Sequence, residues 1–398
     1  MSSLPGAVVI GGHATGVGTV RCLHKLNIPI HVVVTRDHDF AHYSRYVSGY
    51  QRATDMSRRP ESLIELLDRQ AQAWRGWVLL PTNDHAIAAI AKHHDHLSRT
   101  YRLITLPWPI AGTMLEKDRF YAVAQRLGIP TPRIYGPAQA TLLERQDLRF
   151  PLLVKPVQSH RFYELFRCKL FRVENAQELR EAVEKVTSAG LEAQVMDCIP
   201  GGDDHSYNYF VYMDRRGEPV GGMGGHKLRK SPPHFGVARL AEVGPDLNPP
   251  TLREATIALL REAGYSGIAS ADFKLDPRDG VFRLIEINTR PFLCHRLPWR
   301  AGYNMIELAY REAAGLPLEE PQIHHWPGVW VHLHEELRNV LFHRRDEQLR
   351  LRDYLAPYTR PKTFAVYSTT DSMPFLRQWG LTGLDTFRAA AKRLGIAR

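Results

Sequence analysis

Residues 268–288 hold the side chains best suited to chemistry. IASADFKLD (268–276), the turn PRDG and VFRLIEIN (281–288) form two β-like runs about a tight connection. Residues two apart on a strand share a face, so Glu286 and Asn288 point the same way. Pairing Asp272 with Glu286 centres the hairpin on residue 279, inside the turn, and an even index sum keeps all three oxygen-bearing side chains on one face. Two carboxylates and an amide oxygen on a rigid ribbon suit a hard cation that also binds phosphate oxygens, hence magnesium. Glu286 lies in an apolar strand, where an unpaired carboxylate would be costly.

Basic residues complement this hairpin. Lys155 ends the apolar run FPLLVKP (150–156), which fixes where its ammonium sits. Lys169 follows a loop and opens the next strand, so that two ammonium groups from adjacent strands can neutralise an oligophosphate. Asp197 and Asp204 flank the turn CIPGGD, where a carboxylate can accept from ribose hydroxyls. GGMGGHKLRKSPPHFG (221–236) reads as a mobile, glycine-rich substrate loop in which Lys227 and Arg229 would hold an anion.

These groups need a scaffold, and the chain supplies an alternating one. AVVIGG (7–12), IPIHVVVT (28–35), WVLLPTND (77–84) and RLITLP (102–107) are strand-like, and helical stretches separate them, which predicts a parallel sheet wound with helices. Polar residues at the strand tips are where such sheets bind ligands. From about residue 114 the texture changes. Helices are expected at 116–128, 175–189, 248–264 and 304–315, with strands at 150–156 and 191–202 and further β-like runs from SYNYFVYMD onward. A basic, Pro-, His- and Trp-rich stretch follows from 318.

Composition narrows the function classes. The 398 residues include 52 Lys and Arg against 42 Asp and Glu, a net charge of +10 that suits an anionic partner. The basic residues are scattered, with no block of like charge, which argues against a nucleic-acid partner. No apolar run reaches the roughly 18–20 residues of a membrane span, and the N-terminus lacks a basic leader, so no membrane association and a cytoplasmic location are expected. Cys22, Cys168, Cys198 and Cys294 form no CxxC motif and read as small core residues or free thiols. The spacing Gly12, Gly16, Gly18 is not GxGxxG; Asp37 or Asp39 would be the only conceivable ribose acid, so NAD binding is not expected, and no GxxxxGK[ST] occurs. His93, His94 and His96 fall on one expected helix, and His332 and His334 on one strand face. HLHEE is not HExxH, so these read as core, surface or cleft-lining histidines rather than zinc ligands.

The order of these parts resembles the ATP-grasp superfamily, in particular carboxylate–amine ligases of the D-aspartate ligase type. The resemblance runs through VVIGGHATGVGTVRCLHKLNIPIHVV, LLPTND, LEKDRFYAVAQRLGIPTPR, FPLLVKP, IPGGDD, HKLRKSPP, SADFKLD…LIEINTRP and AVYSTTDSMPF. It implies an N-terminal doubly wound parallel α/β domain (1–114) before a two-lobed α+β ATP-grasp fold. Lobe A would span 115–190, lobe B with the metal hairpin 191–317, and 318–398 would be an appendage that completes the cleft or makes a homodimer contact. By the same resemblance Lys117, Lys155 and Lys169 enter the nucleotide site, Asp197 runs past the adenine in a position usually held by Glu, and Asp204 holds the ribose. Asp272, Glu286 and Asn288 match the ligands of Mg2+, for which Mn2+ can substitute, and Arg290 matches a residue near the γ-phosphate or substrate carboxylate.

The implied reaction joins a small carboxylate to an amine, both amino-acid-like, through an acyl phosphate made from ATP. A kinase on the same grasp, and a nucleotide-binding protein without turnover, are the alternatives. One departure stands out: QSHRFYELFRC after Lys155 has no glycine where many ATP-grasp enzymes carry a glycine-rich flap. Residues 157–168 are the expected lid, with backbone amides, or Ser159 and His160, as candidate phosphate-covering groups.

Overall fold

The computed structural model describes residues 4–381 apart from 55, 57–58, 158, 245–246, 248 and 343–349. Among the described residues, three sheets organise the chain.

The first sheet is parallel and belongs to the N-terminal domain. Its elements follow as β1 (Ala7–Ile10), α1 (Ala14–Leu23), β2 (Ile30–Val34), β3 (Gly49–Arg52), α2 (Glu61–Gln70), β4 (Val78–Pro81), α3 (Asp84–Lys92), α4 (His94–Leu97) and β5 (Arg102–Leu103), with α5 (Trp108–Leu115) after the sheet. Strand order is β3-β2-β1-β4-β5. β1 and β4 are buried throughout, as strands covered on both faces must be. The winding reverses between β1 and β4, which makes the crevice beyond their carboxyl ends the natural ligand position. The expected strand 102–107 shrinks to the two residues of β5, and the helix expected to carry three histidines breaks at His93, which caps α3.

Lobe A comprises α6 (Lys117–Arg126), β6 (Ile134–Pro137), β7 (Leu152–Pro156), α7 (Ser159–Phe166), β8 (Phe171–Val173), α8 (Ala176–Ser188) and β9 (Ala193–Asp197). The sheet order is β6-β9-β7-β8. β9 lies between β6 and β7, from Leu152↔Asp197 to Pro156↔Ala193, so lobe A extends through Asp197 rather than ending at 190. The stretch after Lys155 is a helix, not an open loop, because Phe162 and Phe166 pack against Phe171 and draw it onto the lobe A core. The side chains of Ser159 and His160 lie outside the described residues.

Lobe B continues with β10 (Ser206–Met213), β11 (Met223–Ser231), β12 (Val237–Val243), α9 (Pro250–Glu262), β13 (Gly267–Asp276), β14 (Val281–Asn288), α10 (Arg296–Arg300) and α11 (Met305–Ala314). Next come β15 (Val329–Val331), α12 (Leu333–Phe342), α13 (Leu351–Leu355) and β16 (Lys362–Phe364). The sheet runs β14-β13-β10-β11-β12-β15-β16, so the segment after 318 extends lobe B's own sheet instead of forming a separate appendage. The segment 221–236, expected to be a loop, is mostly β11, paired with β10 and β12. Its glycine-rich start is hydrogen-bonded sheet, and the reversal comes only after Ser231. At Gly236 a β-carbon would lie 2.0 Å from the Ser231 carbonyl carbon, so only glycine closes that reversal.

A single apolar core joins β1, β2 and α1 to α11, Trp330, Ala365 and Val366. Arg21 on α1 reaches the same late segment: Nε donates to Asp371 Oδ2 at 2.8 Å, and the other nitrogens donate to the Val366 and Asp371 carbonyls at 2.7 Å. Lobe A encloses its own core of Leu152, Val154, Phe162, Leu179, Val183 and Val195. Among the described residues no helix is long and apolar enough to cross a membrane.

Candidate active site

A cavity of about 630 Å³ lies between the two lobes, over the β13–β14 hairpin. The hairpin adopts the register read from the sequence at its working end: Ser270 faces Asn288 and Asp272 faces Glu286. A bulge follows, with Phe273 opposite Leu284, and the extra residue, Ile285, also turns into the cavity.

Asp272 is gripped on both oxygens. Asn208 on β10, its register partner, donates from Nδ2 to Oδ1, and the Lys227 ammonium from β11 donates to Oδ2. Asn288 Nδ2 lies 3.5 Å from Glu286 Oε1. Burial alone would raise the pKa of Glu286, but the charges of Lys155, Lys227, Lys117 and Arg290 outweigh it and hold the carboxyl well below its ordinary range. Burial pushes Asp272 upward, with Lys227 opposing and Glu286 reinforcing. Burial also works against the Lys227 charge, yet Asp272 and Glu286 keep that ammonium above its usual range.

The remaining walls are basic and apolar. Lys117 heads α6, Lys155 ends β7, and Lys169 stands just before β8; all three line the cavity. Leu153, Met196, Ile199 and Phe273 form an apolar side. Lys230 and Lys274 also line it. Lys274 Nζ donates to the Gly201 carbonyl at 2.8 Å, whereas the ammonium of Lys230, a residue 9% exposed, reaches only the His234 carbonyl among the described residues, at 3.4 Å. Burial, helped by repulsion from Lys227, lowers the Lys230 pKa to about 8. Arg290 leaves the hairpin toward the N-terminal domain. There Nε donates to Asp84 Oδ1 at 2.5 Å and Nη2 to Oδ2 at 3.2 Å. Asp84 opens α3 just beyond β4, so the crevice of the parallel sheet meets the cavity at this ion pair.

Asp197 lines the cavity, and its carboxylate accepts from Tyr135 Oη at 2.9 Å and Arg133 N at 3.3 Å, which holds the end of β9. Asp204 does not line it. It stands exposed beside His205, Oδ1 being 2.9 Å from Nδ1, and Asp203 makes the structural contacts instead, accepting from Lys230 N and His234 N at 2.7 and 2.8 Å.

Arg229 is also elsewhere. A register shift around Leu228 turns it to the far face of β11, where its guanidinium lies 4.1 Å from the Tyr354 ring and donates to the Tyr354 carbonyl at 2.6 Å. The same shift brings Lys230 onto the face of Lys227, which is why two lysines three apart, rather than Lys227 and Arg229, look into the cavity. Behind this wall Arg239, fully buried, donates to Glu336 Oε2 at 2.6 Å, and Tyr354 Oη donates to the same oxygen at 2.6 Å.

His332 and His334 do not share a strand face: β15 ends at Val331, and His334 lies on α12. Burial brings His332 down to about 4, so it is neutral at physiological pH.

The sequence reading passed over Asn208, Lys230, Lys274 and Asp84. Two of these carried a signal: Lys274 lies two residues beyond Asp272 on one strand, and Asp84 ends the polar tip PTND. Asn208 becomes visible only through its pairing with β13.

The donor set fits a hard divalent cation. Among the described residues no three His, Cys, Asp or Glu side chains converge as a self-sufficient metal cage. Asp272, Glu286 and the Asn288 amide instead offer a partial oxygen shell, of the kind completed by phosphate oxygens and water.

Residues 246–321 match the family model of the carbamoyl-phosphate synthase L chain, ATP binding domain. The chain is 26% identical to the D-aspartate ligase of Enterococcus faecium over 241 residues, 58% of this chain. That match spans 57% of the ligase's own length. Among solved structures, an L-amino acid ligase from Bacillus licheniformis superposes with a TM-score of 0.61 at 19% identity, covering 80% of this chain and 76% of that one. The biotin carboxylase domain of Hydrogenobacter thermophilus 2-oxoglutarate carboxylase, in complex with MgADP, ADP and bicarbonate, gives 0.63 at 18%, covering 83% and 74%. With three sheets in this order and these likenesses, the chain has the fold of ATP-grasp proteins, carrying a parallel α/β domain ahead of the grasp.

Proposed function

We propose that the protein is an ATP-dependent carboxylate–amine ligase: it activates a small acid as an acyl phosphate, joins it to an amine, both amino-acid-like, and releases ADP and phosphate. The observation that carries this reading is the ionised Glu286 facing Asp272 inside a cavity ringed by Lys117, Lys155, Lys169 and Arg290. Likeness to a D-aspartate ligase and an L-amino acid ligase supports the reaction class.

The roles follow from the chemistry. The apolar wall of Leu153, Met196 and Phe273 receives the base. Lys155 and Lys169 take the phosphates, and Lys117 enters from the linker. A magnesium ion, with manganese as a substitute, held by Asp272, Glu286 and Asn288 would draw together and neutralise the phosphate oxygens. A carboxylate approaching a triphosphate is repelled, so alignment and positive charge carry most of the catalysis. Arg290, anchored by Asp84, presents its remaining N–H groups at the mouth of the N-terminal crevice, where the acid would sit. Its charge offsets the repulsion as the acyl phosphate forms. Closure of lobe A, with α7 as the covering element, keeps water from that labile intermediate.

The test is a screen of ATP and magnesium against pools of acids and amines, read by phosphate release and by mass spectrometry of products. An amide in equal amount to ADP and phosphate is expected, with Glu286→Gln slower by about a thousandfold or more. A phosphorylated product without an amide would instead identify a kinase, and nucleotide binding without any product would remove the enzyme reading.

A further inference from the structure

The pair at the centre of the cavity holds more than its expected role requires. Both oxygens of Asp272 are engaged by protein donors, Asn208 on one and the Lys227 ammonium on the other. Lys227 and Asp272 are both largely buried, and the same ammonium also feels Glu286. A unit positive charge therefore lies against the carboxylate expected to bind a divalent cation, and near the second one. The cation and the ammonium cannot both hold Asp272 Oδ2 at contact distance, since their repulsion in a partly desolvated site is large. The protein side also offers few oxygens, while a hard divalent ion takes six or more. A displaced ammonium needs a new partner, and the surrounding lysines offer it only repulsion. A polyphosphate supplies both missing items: oxygens for the cation and negative charge for Lys227.

We propose that Lys227 is a resident counter-ion of the hairpin, exchanged for the divalent cation only when polyphosphate arrives, so that cation and nucleotide enter the site together. Lys227 is in this sense a positioning residue: it neutralises the empty hairpin, excludes a lone cation, and after the exchange faces the phosphate chain. The inference rests on the reading of the hairpin as the metal end of a nucleotide site. Linkage makes the coupling reciprocal, so the cation tightens nucleotide binding by the factor with which nucleotide tightens cation binding.

The test uses full-length protein and follows free Mn2+ by electron paramagnetic resonance, with Mn2+ alone and with Mn2+ plus a non-hydrolysable ATP analogue. For the natural sequence, weak binding of Mn2+ alone and at least about a hundredfold tightening by the analogue are expected. Lys227→Gln should bind Mn2+ alone about tenfold or more tightly than the natural protein and lose most of the coupling. Lys227→Arg, which keeps the charge, should retain both natural values. Asp272→Asn should cancel the gain made by Lys227→Gln, placing the gained ion at the hairpin.

Equal affinity of the natural protein and Lys227→Gln for Mn2+ alone overturns the exchange. So does a natural protein that binds Mn2+ alone as tightly as it does with the analogue, a result that needs no variant to fold. If the analogue fails to bind at all, the nucleotide reading falls. The comparison of Mn2+ alone between natural protein and Lys227→Gln still decides the exchange.

Discussion

Lys230 offers a sharp test of the cavity's electrostatics. The residue is 9% exposed, and among the described residues its ammonium has one long hydrogen bond, to the His234 carbonyl. It faces Lys227 and Lys274 as well as Asp203 and Asp272. Its folded-state pKa, about 8, lies below the 10.5 of an unperturbed lysine. Between these values the unfolded chain binds more protons than the folded one, so stability rises with pH across that window. The cost of the buried charge is fully present below pH 8 and vanishes above about 10.5. A displacement of this size corresponds to about 3 kcal/mol.

Lys230→Met should therefore stabilise the nucleotide-free protein near pH 7. For a unit the size of lobe B, the melting temperature should rise on the order of 6–12 °C. The gap should narrow steadily as pH is raised from 8 toward 10. Binding of a non-hydrolysable ATP analogue should move the other way. The natural protein should lose about fivefold in affinity between pH 8 and 9 from this group, where deprotonation removes a cation from the wall, and the variant should lack that component. Paired melting scans and binding isotherms at half-unit pH steps measure both. A melting gap that stays constant from pH 7 to 10, or natural and variant affinities that fall in parallel, would refute the assignment of a buried, depressed ammonium to this wall.

Three further outcomes are expected. Glu336→Gln removes the negative charge facing buried Arg239 and should cost about 3–5 kcal/mol in chemical denaturation, while the double replacement Arg239→Met with Glu336→Leu should recover most of it. Asp84→Asn releases one side of Arg290 and, by the proposed reaction, should raise the KM for the acid about tenfold in the ligation assay with little change in nucleotide affinity. Gly11→Ala should destabilise the N-terminal domain by about 2–4 kcal/mol in thermal melts, because Gly11 has φ +106° and a β-carbon there would lie 2.5 Å from Thr82 Oγ1.

The hairpin was legible because period-two alternation and a short turn leave few registers, and the pairing of Asp272 with Glu286 follows from them. The extra residue Ile285 was not, since nothing local in LIEIN marks a bulge. The same limitation explains Arg229: an irregularity in KLRK reverses which side chain looks inward, and it arises from pairing with β12, far along the chain. The end of lobe A at Asp197 rather than 190 likewise depends on non-local pairing, as β9 inserts between β6 and β7. The β-sheet role of the residues after 318 could not be read from composition, since β15 and β16 have three residues each and gain stability only as added edges of an existing sheet. The Arg290–Asp84 pair spans 206 positions and couples two domains, a relation no spacing rule reaches.

The distribution of apolar cores fixes where the molecule can hinge. The first strand and the last described segments share one packed interior, pinned by Arg21 and Asp371, while α8 and one face of the four-stranded sheet enclose another; the sheet's other face, with Met196, packs together with α6 against lobe B. By this packing α6 and one face of the four-stranded sheet are tied to lobe B, and the α7–β8–α8 side of lobe A is the part with an interior of its own. On the proposed function, closing over a nucleotide would fall to that side of lobe A, so crosslinks from β8 to lobe B should arrest turnover, while crosslinks between the N-terminal domain and β16 should leave it running.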